Sequence, residues 1–89
     1  MKETYLEITF RHGRPLAAYL YLPREGDEKS ARTEQAAPGL LIDFGAEGRP
    51  IGLEITAPGR VSTATINRVL TNLGLSPLSD ADLAPLKAA

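Results

Sequence analysis

The sequence predicts a small α+β domain: a four- or five-stranded, mostly antiparallel meander sheet packed on one face by a C-terminal helix. Three observations predict it. Short runs between residues 4 and 56 alternate in side-chain character at period two, as half-buried strands do. Gly13, Pro38-Gly39, Gly45 and Gly48 stand between those runs, where turns need such residues. After Pro58-Gly59 the period changes, and Ile66, Val69, Leu70 and Leu73 fall at i, i+3, i+4 and i+7, one face of a helix.

The first strand, residues 4–10, alternates Leu6, Ile8 and Phe10 with Glu7 and Thr9. "RHGRP" supplies the turn, and Pro15 is tolerated at the start of the next strand. That strand, 16–22, is apolar on both faces, with Leu16, Ala18, Leu20 and Leu22 on one and Ala17, Tyr19 and Tyr21 on the other. It is expected to be central, with cover on both faces. A charged loop, "PREGDEKS", leads to a polar third strand, 31–35, suited to an edge.

Strands four (40–44) and five (50–56) read as a hairpin around "GAEG". Facing their apolar sets to one side pairs Ile42 with Ile51 and Leu40 with Leu53, since a one-residue slip turns one set outward. Gly48 then takes the left-handed position of the loop. Ser62 or Thr63 caps a helix over 63–73, and Gly74 ends it. In the tail, Ser79 with Asp82 marks a capping box. Pro85 limits that segment to a short turn or helix over 80–87, with Leu83 and Leu86 docked or donated to a neighbour. The whole, 1–89, reads as a single domain.

Composition narrows the function classes. A hydrophobic content of 43% and charged content of 24% are those of a globular chain. A net charge of -1 gives no general attraction for phosphate or anionic lipid. The chain has no cysteine, hence no disulfide framework and no thiolate site. Its opening residues lack a signal-peptide core, and no run approaches the roughly 18 apolar residues of a membrane span. A cytoplasmic location without membrane contact is expected.

The candidate chemistry is sparse. Asp43-Phe44-Gly45 spells a kinase magnesium motif, but the glycine-rich loop, strand lysine and catalytic loop that go with it are missing. In the register above, Asp43 lies opposite Pro50 and about 13 Å from Glu54, too far to share one ion. Both acids are expected to face solvent. "GAEG" matches the phosphate-clamping loop of KH domains, yet it joins strands and carries Glu47. His12 is the sole histidine, so neither zinc nor a serine triad is expected. No catalytic, cofactor-binding or metal-binding residue is assigned.

The hairpin and the tyrosine strand resemble a known family. "ARTEQAAPGLLIDFGAEGRPIGLEI" is similar to the YuzE-like family of small uncharacterised bacterial domains. Asp43 matches its strand-end aspartate, Gly48 its turn glycine, and Gly52-Leu53-Glu54-Ile55 its closing motif. "AAYLYL" looks like its tyrosine-bearing strand, with Tyr19 the matching residue. The similarity spans residues 15–57. Arg14-Pro15 stands where the family carries an acid, and the helix and tail lie beyond it. The resemblance implies a compact α+β domain without established catalytic residues or cofactors.

The expected function is therefore a non-catalytic protein-interaction or self-association module. Tyr19, Tyr21 and Leu41 form its partner-binding strip, and the partner is a second copy, as a homodimer, or another protein. One alternative is a small-ligand binder or enzyme with a pocket between sheet and tail. A weaker one is a nucleic-acid-linked regulator touching phosphate through Arg11, Arg14 and Arg32.

Overall fold

A computed structural model describes residues 4–24 and 28–87. The central residues of the predicted charged loop, 25–27, lie outside the described residues, as do 1–3 and 88–89. Five strands come first: β1 (Tyr5–Arg11), β2 (Arg14–Tyr21), β3 (Arg32–Ala37), β4 (Leu40–Phe44) and β5 (Pro50–Ile55). Then come α1 (Thr63–Asn72), α2 (Asp80–Leu83) and a 3-10 turn, Ala84–Lys87.

The strands pair antiparallel throughout, in the order β1-β2-β5-β4-β3. This order is not the expected meander. The polarity of β3 explains the difference. A meander would set β3 between β2 and β4, and Glu34, which pairs with Ile42, would then sit in the middle of the apolar face. Instead the connection 22–31 carries β3 to the far edge, and β5, with Ile51, Leu53 and Ile55 buried, takes the centre. Strands β2 to β5 thus follow a Greek-key order.

The β4–β5 register also departs from expectation. Ile42 faces Leu53 and Leu40 faces Ile55, while Phe44 faces Pro50 across an irregularity at Asp43/Phe44. Expected and observed pairings differ by two residues, a slip that leaves every side chain on its own face. Turn bonds decide between them. Gly45 N–H donates to the Arg49 carbonyl at 2.8 Å, and Gly48 N–H to the Gly45 carbonyl at 3.0 Å. Gly48 has φ +86, open to a residue without Cβ. In the β1–β2 hairpin, His12 and Gly13 have φ 53 and 75, as a two-residue type I′ turn demands.

A single cluster of buried side chains draws Ala18, Leu20 and Leu22 from β2 and its end, Leu40 and Ile42 from β4, and Leu53 and Ile55 from β5. It also contains Ile66, Val69 and Leu70 of α1, together with Leu83 and Leu86 of the tail. Leu16, grouped with the inward leucines by alternation, is 50% exposed, because it is the extra residue where the β1–β2 register shifts.

Helix α1 begins where Ser62 Oγ accepts from Thr65 N–H at 3.1 Å. It ends in a Schellman motif, with Leu75 N–H on the Leu70 carbonyl and Gly74 N–H on the Thr71 carbonyl. Ser79 caps α2 by accepting from Asp82 N–H. Two further side chains fasten the tail. The Asn67 amide donates to the Leu78 carbonyl at 2.9 Å and accepts from Leu78 N–H at 2.8 Å. Lys87 Nζ donates to the carbonyls of Pro58 and Val61. Leu83 and Leu86 are thereby held in the leucine-face cluster, away from Tyr19 and Tyr21.

Candidate functional site

The opposite face of the sheet carries the tyrosines in two cross-strand rows. One row reads Tyr5, Tyr21, Gly52, Asp43, Thr33; the next reads Glu7, Tyr19, Glu54, Leu41, Gln35. Gly52 is the glycine on which the arrangement depends. The Tyr19 ring lies across its backbone, and a Cβ at residue 52 would overlap Tyr19 Oη, Cζ and Cε2. Passing over that gap, Tyr19 Oη donates to Asp43 Oδ2 at 2.7 Å. Thr33 Oγ1 donates to the other oxygen, Oδ1, at 2.6 Å.

The remaining rings are fixed in turn. Tyr19 and Tyr21 have centroids 4.7 Å apart at 60°, and Tyr5 and Tyr21 lie 5.4 Å apart at 38°, the tilted geometries that aromatic pairs favour. Tyr21 Oη donates to Glu7 Oε1 at 3.3 Å. Arg24 stands over the Tyr21 ring, 5.5 Å from its centroid, and donates to the carbonyls of Glu28 and Ile51. Glu28 in turn pairs with Arg49 at 2.9 Å and lies against Gly45. These contacts hold the start and end of the long connection to the β4–β5 hairpin.

Electrostatics follow this packing. Burial, then the hydrogen bond to Asp43 and that carboxylate's charge, push the Tyr19 phenol well above its ordinary value, and Arg24 opposes them only in part. Tyr21 is also raised, by desolvation and then by Glu7. A tyrosine working as acid or base near neutrality needs the opposite shift. What the Tyr19–Asp43–Thr33 set does is lock two strands together across a third.

The three residues of the expected strip share a face of the sheet but are not contiguous. Tyr19 and Tyr21 touch, whereas Leu41 sits two strands from Tyr19 in the same row, with Glu54 between them. Asp43, expected to face solvent, is half-buried and holds two hydroxyls. The separation expected between Asp43 and Glu54 fails with the register: Glu54 pairs with Leu41, one diagonal step from Asp43. Among the described residues no group of three or more histidines and acids is placed to hold a metal. Arg11 and Arg14 face each other at the β1–β2 turn. Arg32 lies on the opposite edge strand, stacked on Phe44 at 4.3 Å and paired with Glu34, so the three arginines do not converge. Sequence reasoning missed Thr33, Gly52, Arg24 and Glu28. Only Gly52, a glycine inside an apolar strand, carried a signal, that of close approach by another group.

A second feature lies between the end of β2 and the tail. A cleft of about 330 Å³ is lined by Thr4, Leu22, Leu70, Leu75, Ser76 and Leu78, among others. No described helix is long and apolar enough to cross a membrane. Neither a curated protein nor a solved structure matches this chain. Residues 17–57, which run from within β2 to past the end of β5 and include the whole Tyr19–Asp43–Thr33 lock, match the model of a protein family of unknown function, DUF2283.

Proposed function

We propose that this chain is a non-catalytic interaction module that associates with a second copy of itself through the tyrosine face, in the cytoplasm of a bacterial cell. In this reading α1 and the tail roof the leucine face of a single domain, which leaves Tyr19, Tyr21 and Leu41 for the partner. The observation that carries it is the pre-ordered aromatic set. Three tyrosines are held by one another and by Asp43 and Glu7, yet Tyr5 remains 52% exposed. Rings already fixed lose little entropy on docking, and tyrosine brings apolar area with a polar tip. In the same reading residues 15–57 belong with the YuzE-like domains. Light scattering is the test. The wild-type chain is expected to run as a dimer at micromolar concentration and Tyr21→Asp as a folded monomer; a wild-type monomer sinks the reading.

The cleft by the tail favours a second reading, a small apolar ligand. Its described lining offers leucines and two hydroxyl residues, Thr4 and Ser76, with no titratable group. That suits binding rather than acid–base chemistry. An apolar fluorescent probe displaced by Leu75→Trp would support it, and no saturable binding would end it.

A further inference from the structure

We infer that the tyrosine face is self-complementary in charge, so that a second copy docks about a two-fold axis over Thr9 and Ala17. The Arg11–Arg14 turn of each copy then lies on the Glu7–Glu54 patch of the other. This deepens the self-association reading and rests on it, moving the centre of the contact to the Thr9–Ala17 row, with Tyr19 in the row laid on the partner's arginines and the Tyr5–Tyr21 row at the margin beside the partner's β1–β2 turn.

The sequence of charges along β1 and β2 carries the argument. Alternation along β1 puts Tyr5, Glu7, Thr9 and Arg11 on one face. On β2 the register shift at Thr9/Phe10 takes up Leu16 and brings Arg14 opposite Arg11, whereas unbroken alternation would have turned it to the other side. The face therefore reads, from one end, tyrosines, then Glu7 with Tyr19 and Glu54, then the small pair Thr9 and Ala17, then two arginines. Successive rows are about 7 Å apart. A two-fold over the Thr9–Ala17 row lays the arginine row of one copy on the acidic row of its partner, twice, in an isologous contact.

The receiving surface is hollow. A recess of about 170 Å³ is lined by Glu7, Thr9, Ala17, Ala18, Tyr19 and Glu54. It offers two carboxylates and an aromatic ring, the partners a guanidinium prefers. The donor side lacks partners of its own. Arg11 and Arg14 stand opposite each other, a repulsive cross-strand pair, and among the described residues neither they nor Glu54 form an ion pair. Glu7 and Glu54 stand about two rows, or about 14 Å, from those arginines, so the acidic and basic rows are screened from one another within one copy and meet only across two copies. A partner carrying both signs in matching order fits both rows, and this chain is such a partner.

The test uses two variants of the full chain, Glu7→Arg/Glu54→Arg and Arg11→Glu/Arg14→Glu. Glu7, Arg11 and Arg14 are exposed and Glu54 is half-buried at the rim of the recess, so circular dichroism should show both variants folded. Alone, each sets like charges together twice, and its dimer should weaken by about 100-fold or more. Mixed, they restore both contacts, and a heterodimer should form. Dimers that survive in both variants, or variants that stay monomeric when mixed, overturn the docking geometry. If Tyr21→Asp dissociates the wild type in either case, self-association through this face still stands. A monomeric wild type overturns both.

Discussion

Replacing Gly52 with alanine probes the Tyr19–Asp43–Thr33 lock directly. Gly52 has no positive φ, so its backbone accepts alanine without strain. Alone, the change should stabilise the chain by about 0.5–1 kcal/mol, because alanine restricts the unfolded state. The Tyr19 ring reverses that sign. A methyl at residue 52 occupies the space of Tyr19 Oη and Cζ, so the ring must swing off and abandon its 2.7 Å bond to Asp43. A hydrogen bond to a carboxylate contributes about 1.5–3 kcal/mol, and at this half-exposed site the lower part of that range applies. The net effect is a loss of about 1 kcal/mol, or a melting temperature lower by about 4–8 °C. In a Tyr19→Ala background no ring remains to be displaced, and Gly52→Ala should now stabilise. Urea titrations of the four chains, wild type, two singles and the double, complete the cycle. Equal effects of Gly52→Ala in both backgrounds would mean that the glycine serves the strand and not the ring, and the lock would lose its basis.

The raised Tyr19 pKa gives a pH prediction. Unfolded tyrosine ionises near pH 10 while folded Tyr19 keeps its proton, so above about pH 10 the unfolded state loses protons first and is favoured. Stability contributed by this group is complete below that pH and falls as pH rises towards the folded pKa; denaturation curves for Tyr19→Phe should fall less steeply, and equal slopes would count against the assignment. At the other end of the chain, Asn67→Ala removes both bonds to Leu78, about 1–2 kcal/mol for two half-buried neutral hydrogen bonds. Hydrogen exchange should speed up first in residues 75–87, and a uniform change across the sheet would show that the clasp does not secure the tail.

How much of this was legible depended on period. Leu6 and Ile8, or Leu40 and Ile42, announce strands because a period of two survives any tertiary arrangement. Ile66, Val69 and Leu70 announce a helix for the same reason. The polar character of Arg32, Thr33 and Glu34 pointed to an edge, and β3 is an edge. Its last residues, Gln35-Ala36-Ala37, carry no alternation, so its length was not readable. Register was readable only to within two residues, since that slip keeps Ile42 and Leu53 facing inward as well as the expected pairing does. Strand order depended on the non-local pairing of Tyr21 with Gly52, separated by more than half the described sheet, and no local signal encodes such a pair.

The site shows why pattern reading stops short of chemistry here. Strand position and residue type alone assign Asp43 to solvent, and both are properties of one strand. Its actual role is set by Tyr19 from β2, two strands away across Gly52 of β5, and by Thr33 from the neighbouring β3. Gly52 is what could have linked them. A glycine in the interior of an apolar strand lacks a side chain to pack, and sheets commonly cover such a gap with an aromatic from a neighbouring strand. Tyr19 and Tyr21 both carry a polar tip; the Tyr19 hydroxyl reaches past the gap to Asp43, while that of Tyr21 turns to Glu7. Gly52 therefore asks for a tyrosine-bearing strand beside β5, a neighbour that a meander does not give it, but the choice of Tyr19 over Tyr21 is made only by the register.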